Sequence, residues 1–527
     1  MKKRGLRFTA MILALVMLTG IISACGKTDT VSEATAPSAG SSTEATVSTA
    51  AQSSELKPVT LKFYFMNDKK SATDEVWKAI SEKFKKELNA DFEVNFIPAG
   101  DYINKLMVMS VAGNKWDANY DGGWMAYNQM VTKGAYYGLN DLLPQYAPIL
   151  YSELQKLGSL SAVTVKGQIM AVPWTMKGNE HPYMVWRTDL LKKAGVADIP
   201  KDSVKTIEDI DNLIDTLHKA MPELKMVIPN MNNIAPNILP YFVRDEYYDM
   251  NFHGTTLNMN DPNCTIVPIE QTPFFKEAMQ HIKKQYDSGL ISKDAMVDKT
   301  EASQYWNKGM IPYTVTSHEW ANAKPAFTDP DATIESSQLY PEKKYYNRSP
   351  TGNLMAIPKN AENPERTMMF FELINGNQEL YDMVMYGIKD KTYVLNGDAA
   401  DFPAGMTGAT SNYMEWGGQW ALWKPQFMRP TTQYSEGFWT REAEFASTPN
   451  HIQSPIDGLS FDDTNIKTEL AKRDQILAEL GKPLVAGVVK DVDKAVDEMI
   501  AKLKAAGSDK ITEELNNQVK AFLAAKK

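Results

Sequence analysis

At 527 residues the chain is several times longer than one domain of roughly 100 to 200 residues, so two or three cores or one large split architecture are expected. Hydrophobic residues at 43% and charged residues at 23%, with 28 Pro and 30 Gly spread along the chain, exclude collagen-like and wholly disordered classes. The formal net charge of −9 argues against a nucleic-acid binder, whose affinity rests on cationic surface.

Residues 1–24 carry Lys2, Lys3, Arg4 and Arg7, then an apolar stretch from Phe8 to Leu18, then small residues before Cys25. That order reads as an export signal, because the apolar part is too short for a span of roughly 20 residues. Ile22-Ser23-Ala24-Cys25 resembles the bacterial lipobox, which implies a signal peptide over 1–24 and a diacylglycerol on the Cys25 thiol. An ordinary secretory signal with an incidental cysteine is the alternative. Taking the four signal cations from the chain's 56 leaves 52 against 65 acids, a net −13. With Cys25 acylated, Cys264 has no disulfide partner. Residues 25–57, rich in Ser, Thr, Ala and Glu and free of aromatics, read as a lipidated cysteine and flexible tether with a reach of roughly 30 Å. No later run of about 18 apolar residues occurs, so the membrane is reached through lipid alone, at the outer face of the bacterial cell membrane, extracellular or periplasmic.

The body opens with alternation over Val59–Phe65, a strand, and then Val76, Trp77, Ile80, Phe84 and Leu88 at helical spacing. Asp91–Pro98 reads as a second strand, Tyr102–Ala112 as a second helix, and a third unit follows around Trp116–Gly123. This β-α-β-α order indicates an α/β sheet. Val165–Trp174 reads as a crossover to a second β/α region, with a strand at Met184–Trp186, a short helix from Thr188, a capped helix at Thr206–Ala220 and another at Phe274–Ser288. Trp306–Val315 and Gly352–Pro358 read as further crossings. Two apolar stripes close the chain: Val492, Val496, Met499, Ile500 and Leu503, then Ile511, Leu515, Val519, Phe522 and Leu523.

Several segments in this order resemble the family 1 extracellular solute-binding proteins of bacterial ABC importers, the maltodextrin-binding class. Lys166-Gly167-Gln168-Ile169-Met170-Ala171-Val172-Pro173 is similar to that family's crossover, with Met170 where an aromatic is usual. Trp186–Gly195 resembles its strand and helix, Thr206-Ile207-Glu208-Asp209 its helix start, Trp306–Met310 its return strand, and Asn363–Phe371 a later helix. Thr351-Gly352-Asn353, Tyr386-Gly387-Ile388, Ser454–Gly458 and Lys504–Gly507 are similar to a lipoprotein subgroup with a distinctive C-terminal region. The resemblance implies a two-lobed periplasmic-binding-protein-like fold (type II), its lobes joined by multiple hinge crossings, with a helical C-terminal region. Lobe 1 is expected over 58–170 plus 307–358, lobe 2 over 171–306 plus 359–463, and helices packed on the lobes over 464–527.

In that fold ligand sits among loops after the strands' carboxyl ends. Sugar binding wants aromatic faces plus amide and carboxylate groups for hydroxyls. The expected contacts are Phe65 and Asn67 after the first strand, Asp121 and Trp124 after the third, and Trp174 beyond the crossover. Asn230 and Asn232, His318, Glu319 and Trp320, and Trp416 and Trp420 complete the set. Packing readings stay open beside these: Asp121 as a helix cap, Trp124 and Trp174 in lobe packing, and Trp416 with Trp420 as one helix face. His-Glu-x-x-His, Gly-x-Ser-x-Gly, a phosphate loop and a Cys cluster are all lacking, so no catalysis, metal or cofactor is expected. The reading is a monomeric, membrane-anchored receptor that captures a saccharide, in particular an oligosaccharide, by hinge closure and delivers it to the permease subunits of an ABC transporter. An exported glycoside hydrolase and a receptor for peptides or amino-acid derivatives are the alternatives.

Overall fold

The computed structural model describes residues 56–229, 234, 238–298, 300, 302–316, 327–329, 331–408, 410–431 and 437–525. The chain divides into Met1–Glu55 and a body, Leu56–Lys527. The signal, Cys25 and nearly all of the tether lie outside the described residues.

Strand β1 (Val59–Met66) alternates, burying Leu61, Phe63 and Phe65 while Lys62 and Tyr64 stay half-buried. Helix α1 (Thr73–Lys83) lays Val76, Trp77 and Ile80 on the sheet. β2 (Ala90–Ile97) runs parallel to β1 along its full length, with Val59 opposite Ala90 and Met66 opposite Ile97. After α2 (Ala99–Val111), β3 (Ala118–Asp121) pairs parallel on the other side of β1, with Phe63 opposite Ala118. The expected β-α-β-α order is therefore present, and β4 (Val172–Pro173) is the last strand before the chain leaves this sheet.

In the second sheet β5 (Tyr183–Arg187) is buried at all five positions, so Tyr183 to Trp186 show no polar alternation, and the buried Arg187 at its end donates to Asp189 at 2.7 and 2.8 Å. Helix α3 (Ile207–Ala220) starts in a capping box, as Thr206-Ile207-Glu208-Asp209 predicts. Thr206 Oγ1 accepts the Asp209 N–H at 3.2 Å and the Asp209 carboxylate accepts the Thr206 N–H at 3.0 Å. β6 (Tyr313–Thr316) and β7 (Ile334–Gln338) flank β5, both antiparallel to it. Trp306–Val315 is thus not a crossing: it returns along β5, with Tyr313 opposite Trp186.

From β8 (Tyr345–Tyr346) the chain returns to the first sheet, where β9 (Leu354–Ala356) lies antiparallel between β3 and β4 and completes the order β2-β1-β3-β9-β4. Helix α4 (Pro364–Gly376) then packs on that sheet, its Phe370 ring 5.4 Å from Phe63 and 5.9 Å from Trp77. The first core runs from Leu61 to Met176 and from Leu354 to Trp439. The second lobe's largest core cluster joins Met184–Tyr346 to Ile456–Val519. These cores divide the chain differently from the expected boundaries: most of 307–346 lies with β5, and 364–439 with β1. Helical periodicity specifies a buried face but not the sheet that buries it, which is why the sequence misplaced both segments.

Three segments run between the cores, 177–182, 347–353 and 446–450, and backbone hydrogen bonds lace them together. The Arg348 N–H donates to Gly178 O at 2.9 Å, the Asn347 N–H to Ile452 O at 2.9 Å, and the Tyr345 N–H to Asn450 O at 2.9 Å. β8 also pairs in parallel with β10 (His451–Ile452). Among these strands His181 and His451 are buried, with His181 Nδ1 3.1 Å from His451 Nε2. His181 Nε2 lies 2.5 Å from Leu339 O and so carries a proton, which makes its Nδ1 the acceptor for the His451 Nε2–H. Thr448 Oγ1, 2.7 Å from His451 Nδ1, closes this chain of two neutral rings. Burial pulls His181 down to about 3 and His451 to about 4.

Helices α5 (Lys467–Ile476), α6 (Val492–Ala505) and α7 (Ser508–Ala525) cover the second lobe. The stripe Val492, Val496, Met499 and Leu503 and the stripe Ile511, Leu515 and Val519 are buried there, as their spacing predicts. Arg473 of α5 is 1% exposed and Glu270 4%. The guanidinium holds both Glu270 oxygens at 2.8 and 2.7 Å, and donates to His253 O at 2.6 Å, Gly254 O at 3.0 Å and Ser508 Oγ at 3.3 Å.

Candidate functional site

The crossings and the loop after β3 bring a band of aromatic and polar side chains together. Asp121 ends β3, and its Oδ1 accepts the N–H groups of Gly122 at 2.8 Å and Ala126 at 3.0 Å, while Tyr136 donates its hydroxyl to Oδ2. Asp121 is 0% exposed, so it caps the following turn and does not meet solvent. Burial pushes its carboxyl up to about 7, against the lowering effect of those hydrogen bonds. Gly122 is required by a close approach, since a Cβ there would stand 2.6 Å from Gly352 O.

This turn presents Trp124, which is 54% exposed. Its indole N–H donates to Gly352 O at 2.8 Å and the Gly123 N–H to Thr351 O at 2.8 Å, fixing the loop to the second crossing. The apolar ring is thus held out toward solvent by its polar edge. Trp174, in contrast, is 2% exposed: it stacks on Trp423 at 5.6 Å and 22°, and its N–H reaches Trp420 O. Trp423 in turn meets Trp439 at 4.7 Å, and half-buried Trp420 meets Tyr120 edge-on at 6.1 Å. Trp420 and Trp423 also border a shallow depression with Met414 and Glu415.

Beside Gly352, Arg348 spreads its guanidinium 5.2 Å over the Trp174 ring. Its Nε lies 3.4 Å from Glu180 Oε1, and Tyr248 donates its hydroxyl to Glu180 Oε2 at 3.3 Å. Tyr120 donates to Asn353 Oδ1. Arg348, Glu180 and Asn353 escaped the sequence reading because they sit on crossings with no helical or strand period.

Of the expected contacts, the structure places Trp124, Trp174 and Trp420 around this band. Asn67, with φ at 79°, follows β1 and packs closely against Gly417. Phe65 and Trp416 do not reach an accessible face. They are 0% and 1% exposed, their rings are 4.8 Å apart, and the Trp416 N–H is bound to Val384 O at 2.9 Å. Phe65 sits at a buried position of β1, and Trp416 is pinned under the sheet by that indole bond. Asn230, Asn232, His318, Glu319 and Trp320 lie outside the described residues. Among the described residues no group of three or more His, Cys, Asp or Glu could hold a metal, and no helix is long and apolar enough to cross a membrane.

Residues 79–389 match the family described as bacterial extracellular solute-binding protein, and residues 455–524 match a domain of unknown function. A carbohydrate ABC transporter substrate-binding protein of Streptococcus pneumoniae serotype 4 (strain ATCC BAA-334 / TIGR4) is 24% identical over 494 residues, 89% of this chain and 92% of that protein. Lipoprotein LipO of Bacillus subtilis (strain 168) is 22% identical, covering 58% of this chain and 62% of that one. Among solved structures, the N-glycan transport solute binding protein NgtS of Streptococcus pneumoniae superposes with a TM-score of 0.72 at 22% identity, over 89% of this chain and 100% of that one. The Streptococcus pneumoniae substrate-binding protein FusA in complex with kestose gives 0.57 at 16% identity, over 88% and 100%. The first of these relatives and FusA are substrate-binding proteins of ABC transporters. With more than half of its length matched and with a two-lobed α/β body laced by three crossings, this chain belongs to the bacterial extracellular solute-binding proteins.

Proposed function

We propose that this protein captures an oligosaccharide between its two lobes, closes about the hinge and hands the guest unaltered to the permease of an ABC importer. The lobes in this reading are 59–176 plus 354–439 and 183–346 plus 452–525. A diacylglycerol on Cys25 would hold the body at the membrane's outer face. The observation that carries the reading is Trp124, an exposed indole locked beside the crossings where a sugar's C–H face can stack. The carbohydrate named for the pneumococcal relative and the sugars in the NgtS and FusA structures support it. Closure follows if ligand contacts both lobes, because the closed form is then the one that ligand stabilises.

A thermal-shift screen of the whole chain against neutral glycans tests this. A glycan present at 100 times its Kd should stabilise the protein by about 2.7 kcal/mol. It should be recovered intact after prolonged incubation, which separates binding from hydrolysis, and peptides should give no shift. Trp124→Ala should weaken the glycan about tenfold, or about 1.4 kcal/mol, while leaving the unliganded melting temperature in place, since only one indole hydrogen bond is lost. A screen without any glycan hit overturns the proposal.

A further inference from the structure

We infer that Asn353 reads a hydrogen-bond acceptor on the guest through amide N–H donors that the Tyr120 hydroxyl, bound to the amide carbonyl, leaves unspent. The inference rests on the carbohydrate reading and adds which residue grips a sugar oxygen and in which sense. Leu354 pairs with Asp121, the last residue of β3, so Asn353 stands just beyond the carboxyl end of that strand, where ligands sit in an open α/β sheet. Its neighbour Gly352 holds the Trp124 indole through its carbonyl, which puts Asn353 one residue from the contact that fixes the exposed ring. Asn353 itself is half-buried and extended, at φ −142° and ψ 132°. The backbone is fixed on both sides of it: the Gly352 N–H donates to Ser349 O at 2.8 Å, and Leu354 is paired with both β3 and β4.

Tyr120 decides what that side chain has to offer. It is 0% exposed, enclosed by the Tyr102 ring at 6.3 Å and the Trp420 ring at 6.1 Å, and its hydroxyl donates to Asn353 Oδ1. Asn353 is the hydroxyl's partner among the described residues, and no other is present there. Burial, with the Asp121 carboxylate beside it, raises the hydroxyl above its ordinary value, so it keeps its proton and remains a donor. The opposite amide orientation would make Nδ2 the donor and strand that buried proton without an acceptor. Oδ1 is therefore spent inside the protein, while Nδ2 donates to nothing among the described residues. A hydrogen bond accepted at the carbonyl oxygen also polarises the amide and strengthens its N–H groups as donors. The site thus presents a fixed pair of neutral donors here, which a sugar oxygen satisfies and a C–H does not.

The test uses the whole chain, with mannopentaose, maltopentaose and kestose as probes and calorimetry on wild type, Asn353→Leu and Tyr120→Phe. Asn353→Leu keeps the size of the side chain but has no N–H, and should weaken the probe that binds by about tenfold. Tyr120→Phe releases Oδ1, which then competes with Nδ2 for the guest, and should weaken the probe by a smaller factor. Misfolding lowers the calorimetric stoichiometry and leaves Kd in place, so it does not imitate either loss. Isotopic labelling of asparagine for NMR gives a second readout that a purely structural role would not move. The side-chain NH2 signals that Asn353→Leu deletes should shift when wild type is saturated with the probe. Signals that stay in place at saturation, or an Asn353→Leu Kd within about twofold of wild type, overturn the inference while sparing the capture of carbohydrate. Absence of binding by all three probes overturns both.

Discussion

Arg473→Met should destabilise the second lobe by about 3 to 5 kcal/mol, read as a shift of its chemical-denaturation transition. The guanidinium has five N–H donors, and the structure gives each a partner: two on Glu270 and one each on His253 O, Gly254 O and Ser508 Oγ. Removing it leaves a carboxylate that is 4% exposed with no compensating charge, together with two carbonyls short of a donor. Breaking one side of a buried pair carries that penalty, whereas replacing both partners with apolar groups of similar volume is often near neutral. The double variant Glu270→Met with Arg473→Met should therefore recover most of the loss. Because Arg473 lies within the 455–524 match, this pair also ties the segment of unknown function to the strands around Glu270. A single variant within 1 kcal/mol of wild type would show that the pair is dispensable.

The second large effect is a pH dependence centred on Asp121. Its folded carboxyl titrates at about 7, whereas an unfolded aspartate titrates near about 3.9. Between those values the folded protein holds a proton that the unfolded chain has released. Stability therefore falls as pH rises through this window, by about 4 kcal/mol in all. Asp121→Asn cannot ionise. Its carbonyl oxygen keeps the Gly122 and Ala126 N–H groups, and its amide can donate to the Tyr136 hydroxyl oxygen. It should be the more stable protein at pH 8 and lose that advantage by pH 4. The histidines at the hinge act with the opposite sign. Being depressed to about 3 and about 4 from an ordinary 6.5, they weaken the fold as pH drops below 6.5. In wild type the two slopes oppose each other between pH 4 and 6.5, so acid denaturation of Asp121→Asn should be the steeper. Urea titrations of both proteins at pH 4, 6 and 8 check this, and a stability difference that does not vary with pH would refute it.

How far the sequence could be read depended on whether a feature was local. Strand β1, the Thr206–Asp209 capping box and the stripes at Val492 and Ile511 each declare themselves within one element, and all are present. Trp124 could be placed after a strand and beside two glycines, but its 54% exposure could not be foreseen. Phe65, expected to open the same kind of loop, instead lies within β1, and Trp416, 351 residues downstream, covers it. Arg348 and Glu180 form their pair only because distant crossings run side by side, and no spacing along the chain encodes that.

The interleaving of the lobes constrains how the protein can be made. The first core needs Phe438 and Trp439 to join Leu61 and Phe63, and the second needs Ile511, Leu515 and Val519 to join Met184 and Trp186. On the ribosome, neither half can be completed in the order its residues emerge, and the second stays unsealed until Ile511–Val519 has emerged. The nascent chain therefore carries exposed apolar surface until those distant segments emerge, a state in which aggregation competes with folding.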